Sequence, residues 1–388
     1  MTIDGRVQDL ADRIGRPVIV FDADFNVVAF SVHEGEVDTA RLSIILSRKG
    51  SERAKALIKE HGADRAPGAV LIPVIGGAPP RVVAALRYQG QVTGYVSYVP
   101  DADERAEDRD APAVQEARAE LGAHLAARAA EERDGAERVA RLTTRLLEGD
   151  AHQREMVADR LLKSGLISSS TVYSVMVFAV GDLESRDAAA SRLIVERALS
   201  RISSIASRTS LRTVIDGTGV LIIPDEVSSQ RLLDLINSLW FPGARGGGGS
   251  PRARLVDVHE SRREAHIALR AAALDPQRYG PTAVWDDLGI DRLLAQLPVE
   301  QMTMKDLPDG IQHLLRVSSG ADLAATLEAY LDNGADAQRT ARTLHIHRST
   351  LYYRLDRIRE IVGADLSDGR VRRELHTALR VATLARLR

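Results

Sequence analysis

The chain has no cysteine among its 388 residues. A disulfide framework, a thiolate metal site and a cysteine nucleophile are therefore excluded. No window approaches the roughly 18 uncharged apolar residues of a membrane-spanning helix, and the first residues, MTIDGRVQDL, lack the apolar segment of a signal peptide. We therefore expect a cytoplasmic protein with no membrane partner. Aromatic residues make up only 4%, so the cores must be built from Leu, Val, Ile and Ala.

The chain also has almost no net charge of either sign, because it contains 52 basic and 54 acidic residues. The distribution is uneven, because residues 321–388 contain twelve Arg, no Lys and nine acids. Guanidinium groups suit phosphates and guanine edges, which makes nucleic acid a hypothesis to test. A helical surface covered by salt bridges explains the same excess of arginine, and on charge alone it is the simpler interpretation.

The length predicts two or three domains, at roughly 150 residues each, and three segments interrupt the chain. Residues 101–110, DADERAEDRD, are typical of a solvated connector. Gly246 to Gly249 and Ser250 favour a flexible loop; this GGGGS resembles an engineered linker, although a natural glycine-rich loop would look the same. The third interruption, VSSG at 317–320, precedes the arginine-rich end.

Alternating strand and helix patterns predict an α+β fold in both larger segments. In the first segment the expected strands are 17–21, 27–30, 70–75, 82–88 and 92–99, with helices at 39–48 and 52–61. In the second the expected strands are 172–180, 213–215, 220–223 and 253–258, with helices at 189–207, 227–239 and 261–273. Ser261 and Glu264 have the spacing of a capping box at the start of the last helix.

A long helix is predicted from Pro112 to about Glu148, between these two segments. Its apolar residues recur at spacings of three and four, interrupted at Asp134-Gly135, which is typical of a short coiled-coil seam. The stripe consists of Val114, Leu121, Val139, Leu142 and Leu146. It predicts pairing of two chains, and the alternative is an amphipathic helix that packs on its own domain.

The segment after Asp322 predicts three helices separated by turns. The first ends at Asp332-Asn333-Gly334, and Asp336 is placed to cap the second, 337–344. A third helix follows residues 344–347 and carries Leu351, Leu355 and Ile358 on one face. A short helix, a tight turn and a second helix with a polar outer face form the layout of a helix-turn-helix.

The polar face of this motif supplies the candidate DNA contacts, since residues 338–359 hold six arginines, two histidines and one acid. Arg348 is placed for a guanine edge or a phosphate, whereas Arg354 and Arg357 flank the inward stripe and suit the backbone or an internal acid. Tyr353 has the alternative of packing against the first helix. The predicted contact residues are Gln338, Arg339, His347, Arg348, Ser349, Thr350, Tyr352, Tyr353, Arg354 and Arg357. We expect no metal site here, because the His345/His347 pair lacks a third ligand. We also expect no catalytic residue and no cofactor, since the sequence contains no P-loop, G-x-S-x-G, H-E-x-x-H or dinucleotide-binding motif.

Residues 344–358, LHIHRSTLYYRLDRI, strongly resemble the C-terminal helix-turn-helix of the PucR family of transcriptional regulators. Ser349 stands where the family usually has Asn, which shortens the reach of that side chain. The GADL at 363–366 and the helix at 375–387 are similar to the family's ending. The resemblance implies a regulator that binds double-stranded DNA as a homodimer or higher homo-oligomer and responds to an unknown effector or protein partner.

The rest of the chain is similar to the family less specifically. LLEGD at 146–150 and WDDLG at 285–289 resemble the two ends of its GGDEF-like central domain, and residues 16–31 with 94–96 resemble GAF- or PAS-type sensory domains. The resemblance implies a multidomain α+β chain with four parts. They are a GAF/PAS-like sensory domain at 1–110, a linking or dimerisation helix at 111–150, a degenerate GGDEF-like domain at 151–317 and the helix-turn-helix domain at 318–388.

An enzyme is the alternative, in which the central domain binds or processes a nucleotide. A diguanylate cyclase needs hairpin carboxylates that hold metal ions. The corresponding hairpin here, DGTGV at 216–220, lacks two of them, and Asp182 after the first strand has no partner in the sequence. We therefore expect no cyclase activity.

Overall fold

A computed structural model describes residues 2–32, 39–73, 79–100, 112–180, 195–199, 209–238 and 243–388. The chain divides into two compact units, 1–137 and 138–388. Each unit contains a five-stranded sheet with helices, so the predicted multidomain α+β class is confirmed. Among the described helices, none is long and apolar enough to cross a membrane.

The first unit is built on an antiparallel sheet of order β2-β1-β5-β4-β3. The five predicted strands are present, although residues 74–78 lie outside the described part. Helix α1 was not predicted; Thr2 caps it, and Val7, Leu10 and Ala11 bury its apolar face. The elements are α1 (Ile3–Ile14), β1 (Val18–Asp22), β2 (Val27–Phe30), α2 (Thr39–Ser47), α3 (Glu52–Glu60), β3 (Val70–Ile72), β4 (Arg81–Tyr88) and β5 (Gln91–Tyr98).

Helix α4 (Pro112–Glu148) is continuous through Gly135, as one long helix. Val114 and Leu121 are buried in the core of the first unit, whereas Leu142 and Leu146 are buried in the core of the second. Residues 127–138 are exposed and contain no apolar side chain larger than alanine. The prediction of a pairing seam along these leucines and valines is therefore wrong, because each end of the helix packs on its own unit.

The second unit begins with a central domain whose sheet has the order β10-β9-β6-β8-β7. Its strands pair antiparallel, except that β10 runs parallel to β9. Residues 195–199 are helical, and the rest of the helix predicted at 189–207 lies outside the described residues. The elements are α5 (Ala151–Lys163), β6 (Ser174–Ala179), β7 (Leu211–Ile215), β8 (Thr218–Ile223), α6 (Ser229–Asn237), β9 (Arg245–Gly248), α7 (Val258–Leu274), α8 (Pro276–Tyr279), β10 (Thr282–Val284) and α9 (Asp291–Leu294).

The glycine-rich segment is the buried strand β9, so its interpretation as a flexible loop or engineered linker is wrong. Gly247 pairs with Val177 of β6 on one side and with Ala283 of β10 on the other. A Cβ on Gly247 would lie 2.0 Å from the carbonyl oxygen of Ala265 in α7. Glycine is therefore required by the close approach of a helix to this strand.

Two further predictions, both for the segment at the start of α7, are wrong. The strand predicted at 253–258 is a 3-10 turn, Leu255–Asp257, that leads directly into α7. Ser261 does not cap the helix, because it lies inside it, and its buried hydroxyl accepts the N–H of Val175 at 3.3 Å. Glu264 instead accepts the N–H of Ser250 at 3.0 Å and pairs with Arg252 at 2.7 Å.

The second unit ends in a helical domain with one shared core. Its helices are α10 (Asp309–Arg316), α11 (Gly320–Asp332), α12 (Ala337–Thr343), α13 (Arg348–Val362) and α14 (Gly369–Leu384). Leu307, Ile311 and Leu314 belong to the same core, which therefore begins before residue 318. Gly310 lets α10 approach α13 closely, since a Cβ there would lie 2.9 Å from the carbonyl oxygen of Val362.

Candidate nucleic-acid interface

The first helix of the predicted motif, α12, starts at the Asp336 cap. The carboxylate accepts the N–H groups of Gln338 at 2.8 Å and Arg339 at 3.0 Å. The Arg339 N–H bond is the main reason why the pKa of Asp336 is lowered, so the cap is ionised at neutral pH. Because the Asp336 carboxylate accepts the backbone N–H groups of Gln338 and Arg339, these groups are not available to a phosphate. The side chains of the two residues are exposed and can contact a phosphate instead.

The turn between α12 and α13 is a Schellman-type helix end. Ile346 donates its N–H to the carbonyl of Ala341 at 3.0 Å, and His345 donates to Arg342 at 3.2 Å. This pattern requires a left-handed residue, and His345 takes that role with φ of 53°. The turn therefore fixes the angle at which α13 leaves α12. His345 has a backbone role, which its sequence pattern alone did not reveal.

The side chain of His347 caps the start of helix α13. Nδ1 accepts the N–H of Ser349 at 3.3 Å and lies 2.8 Å from the Ser349 hydroxyl. With Nδ1 accepting, the proton of the neutral ring is on Nε2, and the exposed ring can offer it to a phosphate. The Ser349 hydroxyl is engaged in the cap, so the serine that replaces the family's Asn supports the helix start.

The first two turns of α13 expose the predicted contact groups. Leu351, Leu355 and Ile358 are buried, as predicted, which turns the polar face outward. Tyr352 is 51% exposed and Tyr353 is 74% exposed, so Tyr353 does not pack against the first helix. Arg348 and Thr350 are exposed as well, and Arg348 forms no ion pair within the described residues.

The later turns of α13 use their arginines within the protein. Arg357 pairs with Glu360 at 2.9 Å, and Arg359 pairs with Asp356. Arg354 is half-buried and donates to the hydroxyl of Thr326 in α11 at 3.1 Å. Two of these three arginines are therefore paired with acids of the same helix and the third is held by α11, which leaves Arg348 as the α13 arginine that no described side chain engages.

The hairpin of β7 and β8 offers little to a metal ion. Its turn is Asp216-Gly217, both with positive φ, and Asp216 lies 3.9 Å from Arg262. No cluster of three or more acids or histidines that would bind a metal is found in the described part of the chain. Asp182, the other acid considered from the sequence, lies outside the described residues.

Two family models match the chain. The PucR C-terminal helix-turn-helix domain matches residues 323–381, which contain α12, α13 and most of α14. A GGDEF-like domain matches residues 148–271, which contain the sheet from β6 to β9 and most of α7. The resemblance stated from the sequence is thereby confirmed for both segments.

Several curated bacterial proteins are similar to the chain. The proline-responsive transcriptional activator PutR of Bacillus subtilis is 23% identical over 97% of this chain and 95% of its own length. The purine catabolism regulatory protein of the same organism is 31% identical, over 34% of this chain and 24% of that protein. The transcriptional activator PmfR of Paenarthrobacter nicotinovorans is 33% identical over 30% of this chain and 25% of its own length.

Two of these relatives are transcriptional activators and the third is a regulatory protein, which supports the regulatory interpretation and not the nucleotide-processing alternative. The two matched domains occur in the order that the sequence resemblance implied, and one activator aligns along nearly the whole chain. The chain therefore carries a GGDEF-like domain followed by a PucR C-terminal helix-turn-helix domain.

Proposed function

We propose that this protein regulates transcription by binding operator DNA with the first two turns of α13 in the major groove. The observation that carries the proposal is the division of α13 into two halves. Residues 348–353 present a threonine, two exposed tyrosines and an arginine without an ion pair among the described residues. After residue 353, Arg354 donates to Thr326 of α11, and Arg357 and Arg359 pair with acids of α13 itself. Recognition helices contact bases through their N-terminal residues, which agrees with this division.

The phosphate contacts in this proposal come from α12 and from His347. Gln338 and Arg339 project from the start of α12, and the Nε2–H of His347 lies at the start of α13. Contacts of this kind hold a helix in register on the duplex without reading its sequence. Arg354 and Arg357, although predicted as DNA contacts, support the recognition helix instead.

Replacing Arg348 with alanine tests the proposal. We expect operator affinity to fall by about 1–3 kcal/mol, or roughly 5- to 150-fold, if Arg348 reads a base pair with both guanidinium nitrogens. The measurement is fluorescence anisotropy with DNA from upstream of the chain's own gene, at two salt concentrations. Arg357→Ala is the matched control on the same helix, and we expect it to bind nearly as the unmodified protein does. Equal losses in both variants would contradict the proposed division of α13.

We propose that the first unit senses the effector. A pocket of about 330 Å³ lies between the sheet and helices α2 and α3, lined by Phe21, Phe25, Ile44, Leu57 and Val83, among others. Its lining is mainly apolar and also includes the exposed Ser43, the half-buried Arg81 and the buried Ser97. Such a lining suits a small molecule with an apolar body and one or two polar groups. A GAF- or PAS-type sensory domain stays our prediction for this unit.

We also propose that the protein binds DNA as a homodimer or a higher homo-oligomer. One helix-turn-helix covers a few base pairs, and specific sites are usually read by two such modules about one helical turn apart. Because the leucines of α4 are buried within the chain, pairing must use another surface. A protein-to-DNA stoichiometry measured by mass photometry would establish the number of chains on one operator.

Catalysis by the central domain is not part of the proposal. Asp216 is the carboxylate on the hairpin turn, it is 87% exposed, and a cyclase would need partners for it to bind metal ions. We expect no cyclic dinucleotide or cyclic mononucleotide from GTP or ATP with Mg²⁺ or Mn²⁺, as measured by mass spectrometry. Turnover that disappears on Asp216→Asn would contradict this expectation.

A further inference from the structure

A groove of about 800 Å³ lies in the second unit, between the central domain and the end of the last helix. The central domain contributes Arg245 from β9 and His266 and Arg270 from α7. Arg386, which follows α14, contributes from the helical domain. The groove therefore joins the GGDEF-like domain to the domain that carries the helix-turn-helix.

The charges in the groove are unbalanced. Arg270 pairs with Glu300 at 2.5 Å and also donates to the carbonyl of Leu297 at 2.8 Å. Partial burial would raise the pKa of Glu300, but hydrogen bonds and the charges of Arg270 and Arg386 outweigh it and lower that pKa. Glu300 is therefore ionised and already engaged. Arg245 and Arg386 have no hydrogen-bonded acid within the described residues, so the groove keeps a positive field that attracts anions.

His266 adds a polar group that lacks a partner. Its Nε2 atom is buried, and no hydrogen-bond partner for it occurs among the described residues. Burial and the nearby Arg262 lower the pKa of His266 to about 4, so the ring is neutral at pH 7. A buried ring nitrogen without a hydrogen-bond partner destabilises the folded protein, and a ligand in the groove that bonds to it would remove that penalty.

The backbone holds Arg386 in place over the groove. Arg386 has a φ of 56°, in the left-handed region that disfavours residues other than glycine. Leu387 donates its N–H to Ala382 at 2.9 Å, and Arg388 pairs with Glu328 at 2.6 Å, which fixes the residues after α14. Arg386 is the left-handed residue of a Schellman-type end of α14, since its own N–H donates to Thr383 at 3.1 Å, and this helix end fixes the backbone of Arg386 beside the groove.

We propose that this groove binds a small organic anion, a carboxylate or a phosphate ester, between Arg245 and Arg386. Guanidinium groups pair with either kind of anion through two parallel hydrogen bonds. Leu269, Leu274 and Leu384 line the groove and contribute an apolar surface for the body of the ligand. Because its walls come from both domains, the bound anion would bridge the central domain and the DNA-binding domain.

Isothermal titration of the full chain with pyrophosphate and, separately, with citrate tests this site without any DNA. We expect saturable binding of at least one of the two probes, and the tighter one identifies the phosphate or the carboxylate class. Arg245→Gln and Arg386→Gln should each weaken that binding about tenfold or more, because each removes a charge-assisted hydrogen bond. Arg160→Gln, at an exposed arginine of α5 away from the groove, is the matched control and should bind unchanged.

Circular dichroism and thermal melting show whether each variant is folded before it is titrated. His266→Phe provides a second, uncharged test, since it removes the ring nitrogens, keeps the bulk and should also weaken binding. The absence of saturable binding of both probes at millimolar concentration would overturn the proposal. Binding that survives both arginine substitutions would overturn it as well, because the anion would then lie elsewhere.

Discussion

A valine at position 247 is expected to prevent the central domain from folding. Gly247 lies in β9, and a Cβ there would be 2.0 Å from the carbonyl oxygen of Ala265 and 2.4 Å from the backbone nitrogen of Leu269. Both atoms belong to the backbone of α7 and cannot move aside as a side chain can. We expect a loss above about 4 kcal/mol, comparable to the whole stability of a small domain.

The neighbouring glycine provides the matched control for this prediction. A Cβ on Gly248 would lie 3.3 Å from a methyl group of the Val284 side chain, which can shift by a few tenths of an ångström. Gly248→Ala should therefore yield soluble protein with a modestly lower melting temperature, whereas Gly247→Val should yield insoluble protein. Folded, soluble Gly247→Val would show that the segment is a flexible linker after all.

The second large effect is expected from Arg380→Ala. Arg380 lies in α14 and its guanidinium pairs with Asp275 at 2.5 Å and with Asp291 at 2.9 Å. The side chains of Arg380 and Asp275 are 11% and 9% exposed, and that of Asp291 is 1% exposed. Removing the arginine leaves two buried carboxylates unpaired, which typically costs about 3–5 kcal/mol.

Thermal or urea unfolding measures this loss, with Arg373→Ala on the exposed side of the same helix as the control. We expect Arg373→Ala to change stability little. A triple variant, Arg380→Met with Asp275→Asn and Asp291→Asn, should recover part of the lost stability, because no buried charge remains. If Arg380→Ala is as stable as the control, the ion pairs of Arg380 with Asp275 and Asp291 do not hold the helical domain to the central domain.

The same network predicts a dependence of stability on pH. Burial and a hydrogen bond to Asp291 raise the pKa of Tyr279 from 10.0 to about 12. The raised pKa means that neutral Tyr279 stabilises the folded state. This stabilisation is complete below pH 10 and is lost as the pH rises through about 12. At acidic pH, burial would raise the pKa of Asp291, but hydrogen bonds from Arg380 and Tyr279 outweigh it and lower that pKa. Ionised Asp291 therefore stabilises the folded state. This stabilisation is present above the ordinary carboxyl pKa and is lost as the pH falls through the lowered pKa of Asp291.

Local signals were enough to predict the helix-turn-helix. Asp336 as a cap, the turn at 332–334 and the spacing of Leu351, Leu355 and Ile358 act within one or two helical turns. The hairpin of β7 and β8 followed from the same kind of signal, at Asp216-Gly217. Each of these features is decided by residues that are neighbours in the sequence, so a single sequence contains the information.

Features that depend on distant residues could not be predicted in this way. Glycine at 246–249 favours a coil locally, and only the approach of α7 explains why it forms a buried strand. The stripe along α4 has a coiled-coil spacing, yet packing on two separate units uses the same residues. The partner of Arg354 likewise depends on where Thr326 lies in the folded domain.

The central claim is that the first two turns of α13 lie against operator DNA, and site-directed cleavage tests it most directly. Because the chain has no cysteine, one introduced cysteine carries one iron chelate, whose hydroxyl radicals cut nearby DNA. Tyr353→Cys places the chelate on α13, and Met156→Cys, at an exposed residue of α5, is the control. We expect cuts within the protected operator from position 353 and none from position 156. Cleavage from position 156 with none from position 353 would contradict the account.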